Sequence, residues 1–290
     1  MTWFMALRPF SWTASLVPVL LGASLAVRAG FALDLFRLLL TLVASVILQS
    51  ATNLVSDYFD FRKGVDSLAS YGSSRVLVGG QLKPRQVFWA GVFLFTLGSL
   101  LGVWLGYLAG WELLYFGLAA LLGGYFYCGD PFGYKYRALG EALVFILMGP
   151  LMVGGSYYVQ TGHIDLTPFV AALPVGFLVT AILYANNLRD IADDSQAGIR
   201  TLAILLGPER GRRLMRILVF GSYLSLFPLW AGGLLPWTTF LALASLPLAL
   251  RLADLFRGEY SKGKLATADV RTAQLHLIFG LLLSLTAFVR

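Results

Sequence analysis

A short segment near residue 60 combines amide and carboxylate side chains at helical spacing. In ATNLVSDYFDFRKGVD, Asn53, Asp57 and Asp60 occupy positions i, i+4 and i+7, which lie on one face of an α-helix. Asp66 follows within two turns' length of chain. Four oxygen-bearing side chains in so short a segment indicate a polar site.

A second segment, ANNLRDIADDSQAGIR, repeats this pattern 134 residues later. Asn186, Asp190 and Asp194 recur every four residues and therefore also share a helix face. At the 134-residue offset, four residues of the first segment fall on identical residues of the second: Asn53, Leu54, Asp60 and Gly64 on Asn187, Leu188, Asp194 and Gly198. The match suggests a duplicated half, as in other membrane proteins built from repeats.

Carboxylates on two facing segments repel one another, because like charges raise each other's pKa. A hard divalent cation relieves the repulsion, and Asp and Asn oxygens suit Mg²⁺, which prefers to bind a substrate phosphate as well. Basic residues close to the two segments fit phosphate contacts: Lys63, Arg75, Arg189 and Arg200. The alternative is that the acids pair with Lys and Arg on a solvated surface, which is the weaker interpretation for two matched clusters.

Long apolar stretches must position these segments. A helical crossing of a bilayer needs about 20 apolar residues. Nine stretches qualify: 10–28, 33–54, 85–109, 110–128, 138–160, 166–188, 212–232, 235–250 and 270–289. The acidic segments follow the second and the sixth stretch. The sequence therefore predicts an all-α, polytopic bundle in a membrane, as one domain over residues 1–290 with quasi-repeat halves at roughly 10–137 and 138–290.

Composition supports a membrane protein and excludes several other classes. Hydrophobic residues make up 58% of the chain and charged residues 13%, against about 45–50% and 25% in soluble domains. A soluble globular enzyme and a disordered chain are therefore excluded. The single cysteine, Cys128, excludes a disulfide framework and multi-cysteine metal sites.

The basic residues predict the orientation. With nine crossings, all of the 22 Lys and Arg residues except Arg28, Arg37 and Arg290 fall on the side of the N-terminus. The positive-inside rule makes that side, and both acidic segments, cytoplasmic. The net charge of +7 thus belongs to one membrane face, which favours anionic lipid or substrate over nucleic acid. In a bacterium this would be the inner cell membrane.

The two acidic segments resemble the signatures of the UbiA-type intramembrane prenyltransferases. DYFDFRKGVD with SSRVLVGG, YCGDPFGYKYRALGE, and NNLRDIADDSQAGIRTLAILLG are similar to the branch that acts on 1,4-dihydroxy-2-naphthoate and makes menaquinone. The resemblance covers roughly residues 8–210. It implies nine helices around a central cavity and Mg²⁺-dependent transfer of a polyprenyl group to a ring carbon, with loss of CO₂ and diphosphate.

The resemblance also implies roles for particular residues. Asp60, Asp66, Asp190 and Asp194 match the catalytic carboxylates that hold metal and diphosphate, and Asp57 matches a further acid of the metal site. Several other positions match substrate-binding residues: Lys63, Arg75, Lys135, Asn186 and Arg189. Ser56 stands where the family commonly has Asn, and Asn53, one turn earlier, offers an amide instead.

Two kinds of alternative stay open at the level of sequence. Within the family, the alternative acceptors are 4-hydroxybenzoate, homogentisate, haem and a glyceryl phosphate. In another class, a cation transporter or channel would line its path with carboxylates, but such a path needs ionisable groups through the membrane, whereas these stop at one face. The expected partners are a polyprenyl diphosphate, an aromatic acceptor and the lipid bilayer, with no obligatory protein partner.

Overall fold

The computed structural model describes residues 1–66, 74–258 and 263–287, and the regular secondary structure in those ranges is helical throughout. The α-helices are α1 (Thr2–Ala6), α2 (Thr13–Arg28), α3 (Leu35–Arg62), α4 (Pro84–Ala109), α5 (Leu113–Phe126), α6 (Gly140–Ile146), α7 (Met152–Thr161), α8 (Leu166–Ala171), α9 (Leu173–Arg189), α10 (Ile191–Gln196), α11 (Leu202–Leu224), α12 (Leu226–Ala231), α13 (Leu246–Leu255) and α14 (Ala268–Ala287). Short 3₁₀ helices span Pro9–Trp12, Tyr134–Tyr136 and Trp237–Ser245, and Leu147–Leu151 forms a π-helix.

Six helical stretches in the described ranges are long and apolar enough to cross a membrane: Pro9–Arg28, Leu35–Arg62, Pro84–Ala109, Gly140–Thr161, Leu202–Ala231 and Trp237–Leu255. The predicted all-helical membrane architecture is confirmed to that extent. The other predicted stretches are also helical, but α5 has 14 residues, which is short of the 20 or so that a helical crossing needs. Nine crossings and a cytoplasmic N-terminus stay predictions, and the last two residues of the stretch 270–289 lie outside the described ranges.

The helix carrying the first acidic segment is longer than its apolar run. The predicted stretch ends at residue 54, whereas α3 continues to Arg62, so that Asp57 and Asp60 lie on its last two turns. The length of an apolar run underestimates the length of such a helix, because the backbone hydrogen bonds of the helix form equally well where the side chains are polar. The end of the helix is set instead by Gly64, whose φ of 68° lies in the left-handed region.

The two acidic segments end in the same backbone motif. Val65 N–H donates to the Asp60 carbonyl at 2.9 Å, and Ile199 N–H donates to the Asp194 carbonyl at 3.2 Å. Each bond is the long bond of a Schellman turn, with a left-handed glycine, Gly64 or Gly198, between donor and acceptor. The residues matched at the 134-residue offset therefore occupy equivalent structural positions.

Several predicted continuous helices are interrupted. The stretch 138–160 contains the π-turn at Leu147–Leu151, where Pro150 lacks the N–H of a regular α-helix. The stretch 166–188 divides at Ala172, just before Pro174. Helix α11 begins ten residues before the predicted 212, and a left-handed Gly207 kinks it ahead of Pro208. In the first two cases a proline lies within the predicted apolar stretch, whereas Gly207 and Pro208 lie ahead of the stretch that begins at 212.

The helices surround a central cavity, as expected. Helices α2, α3, α4, α5, α6, α7 and α9 contribute to its wall, and α14, which packs against α2 and α9, adds Asp269. The buried core lies mainly in the second layer behind this wall, where Phe279 and Leu283 of α14 are fully buried. The C-terminal ends of α3 and α9 lie at one end of the bundle, called the site end below; the opposite end is called the far end.

Candidate active site

The two acidic segments meet in one pocket at the site end. Its lining comes from four separate parts of the chain: Arg8, Asp60, Val65, Asp66, Lys135, Asn186, Asn187, Asp190, Asp193 and Asp194. Both helix ends thus present carboxylates to a shared space although they are more than 120 residues apart in sequence. This convergence is the geometry that a shared ligand requires.

Asp60 lies at the centre of a network of donors. Its side chain is 2% exposed and accepts hydrogen bonds from Lys135 Nζ at 2.6 Å, Tyr136 Oη at 2.8 Å and Ser56 Oγ at 3.2 Å. Charge-assisted bonds of this kind are about twice as strong as neutral ones. Three donors fix the carboxylate in one orientation.

A backbone strap holds these donors in place. The N–H of Ala138 donates to the Arg200 carbonyl at 2.8 Å, and the N–H of Arg200 donates to the Tyr136 carbonyl at 3.2 Å. The N–H of Lys135 also donates to the carbonyl of Tyr127 at 2.8 Å. The loop that carries Lys135 is therefore tied to the segment that follows the second acidic cluster.

Asp57 points away from the shared pocket. Its carboxylate forms an ion pair with Arg8 and accepts a hydrogen bond from Ser74 Oγ. Arg8 adopts a left-handed backbone with φ of 51° just before the helix at Pro9–Trp12, which turns its side chain back onto α3. The carboxylate therefore anchors the N-terminal segment, and Asp57 is absent from the pocket lining.

The second cluster is organised around a buried arginine. The Arg189 side chain is 0% exposed and forms a two-pronged pair with Asp190, with Nε and Nη2 at 2.9 and 2.7 Å from the two carboxylate oxygens. Its Nη1 donates to Asp269 at 2.9 Å, and Nη2 also bonds the Asn186 amide oxygen. Arg189, expected from sequence to bind substrate, instead lies behind the pocket wall, where it orients Asp190 and Asn186.

Two further carboxyls of the pocket are electrostatically strained. Burial raises the pKa of Asp66 to about 7, and the neighbouring Asp60 charge adds to the shift. Burial also raises the pKa of Asp194 to about 7 against the opposing charge of Lys135, with Asp190 contributing in the same direction as burial. A cation placed between the two carboxyls would therefore stabilise their charged forms.

The remaining predicted residues occupy the borders of the pocket. Asn53 donates to the Leu7 carbonyl at 3.0 Å and to Ser11 Oγ at 2.9 Å. Lys63 pairs with Asp130 at 3.0 Å on the surface. Arg75 and Arg200 are exposed and line neither the pocket nor the cavity below it.

An apolar cavity of about 630 Å³ continues from the pocket into the bundle. Arg8, Lys135 and Asn186 line both spaces, and Asn53 and Ser56 lie in the upper wall of the cavity. Below them, the wall consists largely of aliphatic and aromatic side chains. The site thus has a charged head region and an apolar body, which fits an amphiphilic ligand.

The donor set of the pocket fits Mg²⁺. Asp60, Asp66, Asp190 and Asp194 supply only hard oxygen ligands, and burial raises the pKa of two of them, Asp66 and Asp194, to about 7. Among the residues that the structure describes, no three acidic, histidine or cysteine side chains form a ready-made metal cluster. In this state Lys135 and Arg189 supply positive charge to the carboxylates.

Sequence reasoning missed two residues of the site. Arg8 and Asp269 each bond a residue of the acidic clusters, but neither belongs to a repeated pattern. The available signals were a lone arginine before the first apolar stretch and a lone aspartate that opens the last one. Only tertiary packing pairs them with their partners.

A charged pocket above an apolar cavity, inside a helical bundle of membrane-crossing length, defines an integral membrane protein that receives a lipid-like ligand by its polar head. The model of the UbiA prenyltransferase family matches residues 15–286, and the chain belongs to that family. It is accordingly a prenyltransferase.

Relatives and solved structures agree with this assignment. UbiA prenyltransferase domain-containing protein 1 of Xenopus tropicalis is 40% identical over 288 residues, 97% of this chain and 79% of that protein. The 1,4-dihydroxy-2-naphthoate octaprenyltransferase of Bacillus subtilis (strain 168) is 33% identical, covering 96% of this chain and 89% of that protein. A UbiA homolog from Archaeoglobus fulgidus, solved with GPP and Mg²⁺ bound, shares the fold with a TM-score of 0.64 at 17% identity, covering 98% of this chain and all of that one.

Proposed function

We propose that the protein transfers a polyprenyl group from an allylic prenyl diphosphate to a ring carbon of 1,4-dihydroxy-2-naphthoate, with Mg²⁺ as cofactor. The observation that carries the proposal is the pocket in which the carboxylates of both acidic clusters face one another above the apolar cavity. A diphosphate fits the charged part and a prenyl chain fits the apolar part. The family membership supports the reaction class, and the Bacillus subtilis relative supports the naphthoate acceptor.

In the proposed reaction the bond between the allylic carbon and the diphosphate oxygen breaks, and its electron pair leaves with the diphosphate. The electron-rich ring forms the new carbon–carbon bond, and the acceptor carboxylate leaves as CO₂. The ring thus exchanges a carboxylate for a prenyl group. Because CO₂ is neutral, the negative charges of the acceptor carboxylate and of the prenyl diphosphate are both carried by the released diphosphate. The cavity keeps water from the allylic cation.

The proposed roles follow from position. Asp60, Asp66, Asp190 and Asp194 hold Mg²⁺, which when bound neutralises charge that develops on the departing oxygens. Lys135, at the junction of pocket and cavity, orients the diphosphate. In the same proposal Asn186 contacts the substrate, while Lys63, Arg75 and Arg200 attract the anion at the rim. Asp57 and Arg189 act as positioning residues through Arg8 and Asp190.

The membrane side is part of the proposal. The pocket opens at the end of the bundle near Arg8 and Lys135, which the distribution of basic residues assigns to the cytoplasm. Labelling of an Arg200→Cys variant by a membrane-impermeant thiol reagent in right-side-out and inverted vesicles tests this. Modification in right-side-out vesicles alone would reverse the orientation.

The decisive experiment is mass spectrometry of the product formed by purified protein in lipid nanodiscs. We expect a prenylated naphthoquinol and stoichiometric diphosphate from 1,4-dihydroxy-2-naphthoate, with no product when EDTA removes Mg²⁺. Product from 4-hydroxybenzoate or homogentisate alone would overturn the acceptor. Absence of product and diphosphate with all three acceptors would overturn the reaction.

Asparagine variants separate the metal site from folding. We expect Asp60→Asn and Asp190→Asn to lower turnover by about two orders of magnitude or more, because each removes a full charge from the metal site. The matched control is Asp34→Asn, at the far end, where Asp34 caps α3 and asparagine caps equally well. Full activity in either pocket variant would contradict the assignment of the carboxylates.

A further inference from the structure

Three arginines lie on the outer surface of the bundle, on two of its helices. Arg213 and Arg216 belong to α11 and Arg251 belongs to α13, and all three residues are exposed. The opposite faces of these helices are buried and consist of small or apolar residues: Gly211, Met215, Leu218 and Val219 on α11, and Ala249, Leu252 and Ala253 on α13. The three exposed arginines are called the arginine patch below.

Side-chain contacts join α11 and α13 on either side of the arginine patch. Arg212 donates to the carbonyl of Gly258, which follows α13. Toward the far end, the hydroxyl oxygens of Tyr223 and Ser245 lie 2.7 Å apart. Helix α11 runs away from the backbone strap at Arg200, so the first of these contacts lies near the site end. Along both helices the patch lies between the two contacts, on one side of the bundle.

The arginine patch belongs to apolar helices rather than to a loop. Arg216 lies in the stretch Leu202–Ala231, and Arg251 lies in Trp237–Leu255, both of which are long and apolar enough to cross a membrane. From Arg216 to the end of its stretch the chain advances 15 residues, about 22 Å along a helix, which is less than the roughly 30 Å of bilayer hydrocarbon. Arginine is costly inside hydrocarbon, and its long side chain extends to the headgroups instead. The guanidinium groups therefore reach the level of the lipid phosphates.

The arginine patch has no acidic partner among the residues that the structure describes. Its guanidinium groups take part in none of the ion pairs within those ranges, and Asp254, the acidic residue of α13, pairs with Arg257 at 2.9 Å. The buried Arg189, by contrast, pairs with two carboxylates. A guanidinium group offers two parallel donors that match the oxygens of a phosphate. Three such groups on one surface favour an anion from outside the chain.

The surface that continues from the arginine patch toward the far end is apolar. Ile217 and Leu224 of α11 are 61% and 66% exposed, and Phe227 and Leu250 are exposed as well. A phosphate ester with acyl chains matches this arrangement, because its charged group meets the patch while its chains lie along the apolar side chains. Three positive charges also favour a headgroup with net negative charge over a zwitterionic one, whose own cation they repel.

We propose that the arginine patch binds the headgroup of an anionic phospholipid from the surrounding bilayer. The lipid phosphate accepts hydrogen bonds from guanidinium groups of both helices, and the acyl chains lie against the apolar surface. The bound lipid thus links α11 to α13 between the contacts made by Arg212 and Tyr223. None of the three arginines lines the pocket or the cavity, so this site is separate from the site of the proposed prenyl transfer.

Native mass spectrometry of the purified protein in detergent tests the site. Titration with dioleoyl phosphatidylglycerol or dioleoyl phosphatidylcholine gives the affinity for each lipid. We expect Arg216→Gln and Arg251→Gln each to weaken phosphatidylglycerol binding about fivefold, equivalent to about 1 kcal/mol, and to leave phosphatidylcholine binding unchanged. Arg216→Lys keeps the charge but not the paired donors, so it should lose less. The matched control, Arg85→Gln, removes an exposed arginine of α4 at the same end of the bundle and should keep the wild-type affinity.

Unchanged phosphatidylglycerol affinity in both glutamine variants would overturn the site. An equal loss in Arg85→Gln would also overturn it, since that result indicates attraction by the overall charge of the site end. Displacement of the lipid by millimolar inorganic phosphate would indicate a site for a soluble anion, and displacement by geranyl diphosphate would indicate lipid bound in the pocket, so either result contradicts the proposal. No part of this experiment measures turnover, so its outcome is independent of the proposed reaction.

A second measurement needs no variant. Phosphatidylglycerol with a diazirine in its headgroup, added to wild-type protein in phosphatidylcholine nanodiscs, should label peptides of α11 and α13. Excess unlabelled phosphatidylglycerol should suppress that labelling, whereas the same excess of phosphatidylcholine should not. Labelling confined to α3 and α4, or equal suppression by both lipids, would overturn the inference.

Discussion

The hydroxyl of Tyr136 offers a selective test of how the donor network controls Asp60. Tyr136→Phe removes the 2.8 Å bond to Asp60 Oδ1 and leaves the bonds from Lys135 and Ser56. The ring is retained, so any contribution of its face to stabilising a cation survives. The variant therefore isolates one hydrogen bond to the central carboxylate.

The size of the effect follows from that bond. A hydrogen bond to a charged group contributes about 1.5–3 kcal/mol. Because Lys135 and Ser56 still hold the carboxylate, we expect the lower end of this range to be lost, which corresponds to about tenfold in kcat/KM. The concentration of Mg²⁺ needed for half-maximal activity should rise, since a less fixed Asp60 is a poorer metal ligand.

The assay is initial-rate release of diphosphate across a Mg²⁺ titration. Tyr134→Phe is the matched control, because Tyr134 lies on the same loop and its ring stacks on Phe132 at 5.8 Å rather than against Asp60. If Tyr136→Phe matches Tyr134→Phe in both kcat/KM and Mg²⁺ dependence, the network around Asp60 does not control the metal site, and the reasoning fails.

Three further predictions concern the same site. Alanine at Gly64 or Gly198 forces a side chain into a left-handed conformation at a cost of about 1–2 kcal/mol, so each variant should unfold at a lower temperature than the wild type. Asparagine at either position should retain more stability than alanine, and equal melting temperatures would refute the role of the turns. Asp269→Asn weakens the ion pair with Arg189 and should raise the KM for prenyl diphosphate more than it lowers kcat. Asp269→Glu should restore part of the affinity, and an unchanged KM in the asparagine variant would contradict this role. Because the pKa values of Asp66 and Asp194 are raised to about 7, both carboxyls must lose a proton before they bind a cation. The Mg²⁺ affinity measured by calorimetry should therefore increase from about one pH unit below that value to about one unit above it, by at most about tenfold per pH unit per proton released. A flat profile would show that neither group titrates with the metal.

The sequence contains enough information to place the acidic segments but not their supporting contacts. Periodicity assigns Asp60 and Asp194 to helix faces, and the 134-residue match indicates that both lie at equivalent helix ends, where the structure has the same glycine turn. The packing of distant helices determines the rest. Asp269 pairs with Arg189 across 80 residues, and no local pattern encodes that distance.

Helix lengths show a related limit. Apolar runs locate the membrane helices, but polar residues extend α3 by two turns, and residues that break helices divide others. The role of Arg189 illustrates the same limit at the level of one side chain. A basic residue beside an acidic cluster suits either an anionic substrate or a buried counterion, and only its burial distinguishes the two.

The pairing of Asp60 and Asp190 with buried cations has a consequence for the resting enzyme. Lys135 with Asp60, and Arg189 with Asp190, balance charge locally before any ligand arrives. A bare carboxylate at the edge of a bilayer would draw water inward or take up a proton. Because these carboxylates are already paired, the pocket can instead remain dry and charge-compensated between turnovers, until one set of counterions replaces another.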